Sequence, residues 1–178
     1  GTPCQTSGLN AYIGKKLCKN LYLVDIVCHG VPAPYLWRDY LSYLEKKQGA
    51  KICWVNFRDK QEFGWRAHKE TFKFIKRARK MSFTFLFYQH IMFRNSCGKC
   101  HFTNIQRPSD ITIADFWGIE KVDPNINSDD KGVSLILINT EKGQKLFEAI
   151  QHPLHLLLHL QLYLQKSPHL IRKEPEYH

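Results

Sequence analysis

Apolar residues recur at three- and four-residue steps in LNAYIGKKLCK, where Leu9, Tyr12, Ile13 and Leu17 share one face of a predicted helix that Ser7 can cap. LYLVDIVC then runs almost continuously apolar and breaks into HGVPAP, the pattern of a buried strand entering a tight loop. Pro34 can occupy the first turn of the next helix, PYLWRDYLSYLEKK, in which Leu36, Tyr40, Leu41 and Leu44 face inward. AKICWVNFRDK reads as a strand, and ETFKFIKRARK, alternating with period two, reads as another. SFTFLFYQHIMFRNS has the length of a helix and the residues of a strand, so the pattern leaves both open. DITIADFWG is a strand ending at Gly118. KGVSLILINT is a further strand, followed by the helix EKGQKLFEAI with Thr140 as its cap. The tail, residues 151–178, is biased toward Leu and His and is expected to hold one more helix before it frays.

Strands alternating with helices predict an α/β domain, with α+β as the other arrangement of the same elements. The expected architecture is a layered mixed sheet with flanking helices, in one domain, without internal repeats or an interdomain linker. A chain of 178 residues can bury a core, and 43% hydrophobic residues make it globular. No stretch reaches the ~18 apolar residues of a membrane span. The opening GTPCQTSGLN carries neither Met nor a cationic leader and reads as the interior of a longer protein. Six cysteines are too few for a small disulfide scaffold, so the expectation is reduced thiols in a cytoplasmic setting. The net charge of +10 asks for an anionic partner or a solubilising surface.

The chemistry centres on NSCGKCHF. Cys97 and Cys100 have the spacing that lets two thiolates meet one metal centre from a single turn. Cys4, in the Gly-Thr-Pro loop before the first helix, and Cys28, at the end of an apolar strand, sit where ligands can converge. Cys18 and Cys53 read as ordinary packing or surface residues. Four thiolates suit zinc or a [4Fe–4S] cluster alike. Structural zinc usually draws on two short pairs, whereas here two ligands come singly, a pattern that leans toward a cluster without deciding it.

Six ordered blocks, GTPCQ, VDIVCHGVP, NFRDK with GW just after it, SCGKCHF, SDITIADFWGI and DDKGVSLILINTEKG, resemble the C-terminal domain of the coenzyme F420 hydrogenase/dehydrogenase beta subunit family. The resemblance covers residues 1–150, a domain lacking the N-terminal part of that family, and leaves 151–178 as a helical or frayed tail. It implies an oxidoreductase that relays electrons between a [4Fe–4S] cluster and FAD, which exchanges a hydride with F420 or another acceptor. It also implies a redox partner protein or ferredoxin-type domain. Some relatives are associated with surface-polysaccharide gene sets. The cluster ligands it implies are Cys4, Cys28, Cys97 and Cys100. Around them it draws in Thr2, Gln5, His29, Asp115 and Gly118 as cofactor-binding candidates. Ala114, where a Gly is common, and the Leu/His-rich tail depart from the family pattern.

Physical chemistry adds to that set. Lys99, His29 and the helix start near Cys4 could supply positive field to an anionic cluster. Flavin phosphates need amides and cations, which Arg58, Lys60 and Arg66, then Lys131, Gly132, Val133 and Ser134 could provide. Gly64 permits an unusual turn, and Trp117 or Trp65 could offer a face to the isoalloxazine. For each residue alone, core packing or surface solvation is the plainer account. KFIKRARK reads as the charged face of an edge strand that resists strand addition. It has no accompanying nucleic-acid motif, so no nucleic-acid partner is expected. His152, His155 and His159 read as a polar helix face. The competing function is a non-catalytic module stapled by a four-cysteine zinc site and binding a partner.

Overall fold

The computed structural model describes residues 1–151 except His68, Lys76 and Ser82, and leaves aside the side chains of 15, 16, 18, 77–81 and 151. The tail from residue 152, with His152, His155 and His159, therefore lies outside the described residues, as does the Cys18 side chain. Helices and strands are mixed, as the alternating pattern predicts. The chain clusters into two compact units. Of the described residues, one comprises 1–28, 104–114 and 134–151, and the other 29–103 and 115–133.

The first unit is built on a three-stranded sheet of β1 (Val24–Ile26), β5 (Ile111–Asp115) and β6 (Ser134–Ile138), with β5 in the middle. β1 and β5 run parallel, pairing Val24 with Ile111 and Ile26 with Ile113. Helix α1 (Pro3–Cys18) and helix α5 (Glu141–Gln151) pack on it. α5 starts as predicted, with Thr140 Oγ1 accepting the Gly143 N–H at 3.0 Å.

Two expectations fail in this unit. α1 begins at Pro3, with Thr2 rather than Ser7 in the capping position, and it kinks at Gly14. Its apolar face is largely exposed, Tyr12 at 90% and Leu9 and Leu17 with it. β1 is shorter than its apolar run, and its burial is inverted: Asp25 is fully buried while Val24 and Ile26 are exposed. The carboxylate tolerates burial because it is paired. Arg107 Nη2 donates to Asp25 at 3.1 Å and to the Ile26 carbonyl at 3.0 Å, and the Thr112 hydroxyl donates to Asp25. Asn139 Nδ2 closes the network on Thr112 and the Ser109 carbonyl, both at 3.0 Å.

The second unit holds an antiparallel sheet of β2 (Ile52–Asn56), β3 (Glu70–Phe74) and β4 (Arg77–Met81), in that order. Helix α2 (Pro34–Gln48) starts at Pro34 and buries Leu44 against Phe72 and Phe74, with Tyr40 and Leu41 beside them. Burial of each such side chain contributes about 1.5–3 kcal/mol. ETFKFIKRARK is therefore a hairpin and not one strand: the chain turns at Ile75, and Phe74 and Phe72 pair with Arg77 and Arg79 across it. The basic residues fall on both arms, and β4 is an edge strand, as is β2. SFTFLFYQHIMFRNS resolves into the short helix α4 (Phe83–Tyr88) and irregular chain. Buried Glu70 holds the start of α4, accepting the Phe83 and Thr84 amides at 3.1 and 2.8 Å. Helix α3 (Lys60–Phe63), capped by Asp59, leads from β2 toward Trp65.

Candidate functional site

In NSCGKCHF, Cys97 to Lys99 form one 3₁₀ turn, with Cys97 N–H donating to the Arg94 carbonyl at 2.8 Å. Both thiols are half-buried, and the Thr103 hydroxyl caps the Cys100 carbonyl at 3.1 Å. The turn thus presents two sulfurs from adjacent positions of one loop, as the spacing predicts. Cys4 lies inside the first turn of α1 and not in a preceding loop, because Pro3 is already helical there. Its Sγ is 3.2 Å from the Thr2 hydroxyl. Cys28 follows β1. Cys4, Cys28, Cys53, Cys97 and Cys100 form no disulfide among the described residues. Cys4 and Cys28 belong to the first unit, Cys97 and Cys100 to the second. Among the described residues, no three His, Cys, Asp or Glu side chains are grouped as ligands of a single metal ion. Cysteine sulfurs are of the donor type that thiolate ligation needs, and Cys97 and Cys100 stand at the start and just past the end of one 3₁₀ turn.

A second constellation forms within the second unit around Arg58. Its backbone has φ +55°, a left-handed conformation uncommon outside glycine. From there Arg58 Nη1 donates to Asp115 at 2.5 Å, and the guanidinium lies 5.9 Å from the Trp65 ring and 5.5 Å from the Trp117 ring. The two indoles stack at 3.9 Å, 15° apart, and Trp65 Nε1 donates to Asp115 at 3.2 Å. Arg58 Nε is buried without a hydrogen-bond partner among the described residues. Desolvation pushes the Asp115 carboxyl up. The hydrogen bonds from Arg58 and Trp65, with the charges of Arg58 and Lys60, outweigh it and hold the group below its ordinary range.

The loop beneath Trp65 is made by tight backbone packing. Asp130, at φ +52°, accepts the Trp65 N–H at 3.1 Å through both its carbonyl and its Oδ2. Gly132, at φ +93°, lies against the Trp65 indole with no room for a Cβ. Its N–H is donated to buried Asn127 at 2.8 Å. Gly64 adopts φ +75°, the unusual turn that its position suggested, with the Asp130 carboxylate against it.

The structure thus brings Arg58, Asp115 and Trp117 together around Trp65, with the Lys60 charge acting on Asp115. Gly118, φ +84°, turns the chain after Trp117 into a 3₁₀ turn, so its part is in the backbone. Lys131 is an exposed lysine paired with Asp129 at 2.9 Å. The Gly132 amide is engaged by Asn127, which removes it as a phosphate donor. Ser134 begins β6 in the first unit. Gln5 Oε1 takes the Thr2 amide at 2.9 Å, so these two residues start α1. His29 packs among rings, 4.8 Å from His90 and 5.0 Å from Phe87 and Tyr88; desolvation and the neighbouring His90 lower its pKa. Arg66 is drawn to Glu120 and the Asn127 carbonyl. Trp65 is 1% exposed beneath Trp117, so only Trp117, at 47%, can meet a ligand ring. Sequence reasoning missed Asp130 and Asn127. The signal for them was the polar run NSDDKG before a glycine, a stretch rich in residues that bond their own backbone.

Over residues 1–158 the chain matches the family described as the C terminus of the beta subunit of coenzyme F420 hydrogenase/dehydrogenase, and it belongs to that family. Comparison with curated proteins gives no match. Among the described residues no helix is long and apolar enough to cross a membrane.

Proposed function

From its place in the F420 hydrogenase/dehydrogenase beta-subunit family, we propose that this chain is an oxidoreductase module working with a redox partner. In this reading Cys4, Cys28, Cys97 and Cys100 hold a [4Fe–4S] cluster. The observation that carries it is the thiol pair, two half-buried sulfurs on one 3₁₀ turn in a chain of this family. When bound, such a cluster supplies one-electron transfer and a flavin supplies the exchange between one-electron and hydride chemistry.

The side chains have positioning work. Trp117 offers a ring for stacking, and Arg58, held by Asp115, fixes a cation beside it. The unsatisfied Arg58 Nε is a donor that a flavin oxygen or phosphate could meet. Lys60 adds charge at the same place. A deazaflavin such as F420, or another hydride acceptor, would be the reaction partner of the flavin.

The test is metal and flavin analysis of protein reconstituted anaerobically with iron and sulfide. Cys97→Ser should lose the bound iron, and Cys53→Ser should keep it, since Cys53 is an exposed residue of β2. Iron lost in Cys53→Ser and kept in Cys97→Ser would overturn the ligand assignment. Zinc in place of iron would favour the structural staple, the reading four thiolates also allow.

A further inference from the structure

Residues 69–80 hold six Lys or Arg and one carboxylate, so half of the chain's net charge of +10 is concentrated there. That carboxylate, Glu70, is fully buried and engaged by the Phe83 and Thr84 amides, so it does not neutralise the surface. The segment runs through the β3–β4 hairpin. On β3, Phe72 and Phe74 are buried against α2, while Lys73 between them is exposed on the opposite face. β2 is shaped to the same face. One extra residue between Ile52 and Trp54 makes a bulge, so Ile52 and Val55 both join the core under α2 and Trp54 pairs with Lys73. Trp54 is 43% exposed, and Lys73 Nζ lies over its ring at 4.6 Å. Among the described residues Lys73 forms no ion pair. Cations on an edge strand deter strand addition, which accounts for the basic sequence of β4. Edge protection does not account for Lys73, because β3 is the middle strand, nor for the exposed indole beneath it.

We propose that the Trp54–Lys73 face of this sheet docks an acidic segment of a partner protein. The argument is charge complementarity joined to an aromatic anchor. The excess of cations draws a carboxylate-rich segment to the hairpin, and Lys73 pairs with one of its carboxylates. The indole packs against the segment's backbone and side-chain stems, the role in which Trp is enriched at protein interfaces. A single-stranded nucleic acid matches less well. It stacks successive bases on several rings, and the described residues of this face offer one, already covered by Lys73. Trp54 and Lys73 belong neither to the thiol turn nor to the Arg58–Asp115–Trp117 group, so the proposal stands whether or not the chain holds a cluster or a flavin.

The experiment is fluorescence anisotropy of labelled poly-L-glutamate titrated with the full chain at low ionic strength, with circular dichroism confirming the fold of each variant. Saturable binding is expected, weakened about tenfold or more in W54A/K73Q, which loses the anchoring ring together with its cation. Lys73→Gln alone, at an exposed position, should weaken it about threefold. W54F/K73R keeps a ring and a charge and should retain most of the binding. K19Q/K145Q removes two charges at exposed lysines of the first unit and should change the affinity less than about twofold. Equal weakening in K19Q/K145Q and W54A/K73Q would reduce the binding to net charge and overturn the proposal. Absence of saturation, or equal affinity in W54A/K73Q and the parent, overturns it as well. Poly-uridylate bound more tightly than poly-L-glutamate, and lost in W54A/K73Q, would assign the face to nucleic acid instead. Iron content measured on the same samples tests the cluster separately.

Discussion

Gly132→Ala is a sharp test of how the Trp65 platform is held. The residue sits at φ +93°, and its Cα lies against the Trp65 indole so closely that an added Cβ would overlap three ring atoms. The indole cannot swing aside cheaply. It is 1% exposed, stacked on Trp117 at 3.9 Å, and tied to Asp115 through Nε1 at 3.2 Å. Left-handed strain on a non-glycine residue costs about 1–3 kcal/mol. Overpacking at a buried contact costs about 1–3 kcal/mol more. A loss near the middle of that sum, about 4 kcal/mol, lowers Tm by roughly 8–16 °C in a chain of this size. Two companion variants divide the cost. Gly118→Ala carries the strain alone, since φ is +84° and its Cβ would meet open space. Gly98→Ala carries neither and should stay within about 0.5 kcal/mol. The assay is thermal unfolding, with near-ultraviolet circular dichroism reporting the coupled indoles. Gly132→Ala should fall furthest and lose the indole signal. If it is no less stable than Gly118→Ala, the packing argument is wrong.

Other consequences follow from the buried charges. Arg107→Met should cost about 3–5 kcal/mol in urea unfolding, because it strands Asp25, fully buried, without its cation. Adding Asp25→Asn should recover part of that loss, and an equal or larger loss in the double variant would contradict the pairing. The Asp115 carboxyl is held below its usual range, so its contribution is present above about pH 4 and is lost as pH falls through its folded value. Asp115→Asn should therefore destabilise at neutral pH by an amount that shrinks below pH 4, and a gap independent of pH would count against the Arg58 contact. Burial pushes the Glu70 carboxyl up, although the Thr84 and Phe83 amides oppose it. The folded protein then binds the proton more tightly than the unfolded chain, and stability falls as pH rises from about 4.5 through the raised value. Glu70→Gln should abolish that slope, and an unchanged pH profile of unfolding would refute it.

The elements legible in the sequence were those whose signals are local. Pro34 marked the start of α2, the spacing of Tyr40, Leu41 and Leu44 marked its inner face, and Thr140 marked the start of α5. The tight turn that carries Cys97 and ends at Cys100 was equally local, because it is made within CGKC itself. Misreadings came where partners distant in sequence decide. Asp25 is buried because Arg107 and Thr112, more than eighty residues away, satisfy it, and no window around LYLVDIVC contains that information. The β3–β4 turn was missed because alternation along β3 sets the face of each residue but not the direction of the chain beyond it. The helical period of α1 was real, yet periodicity states which residues share a face and not whether that face is covered. In the Arg58 group, the sequence order showed the cations and aromatics. Which of them meet depended on left-handed turns at Arg58 and Asp130 that only the folded chain reveals.

The central claim is that four thiolates of this chain hold an iron–sulfur cluster. The most direct measurement is iron, acid-labile sulfide and zinc, quantified together on protein produced anaerobically with iron in excess. About four irons and four sulfides per chain are expected, with broad brown absorbance, and their loss in Cys97→Ser. One zinc per chain and no sulfide would contradict it.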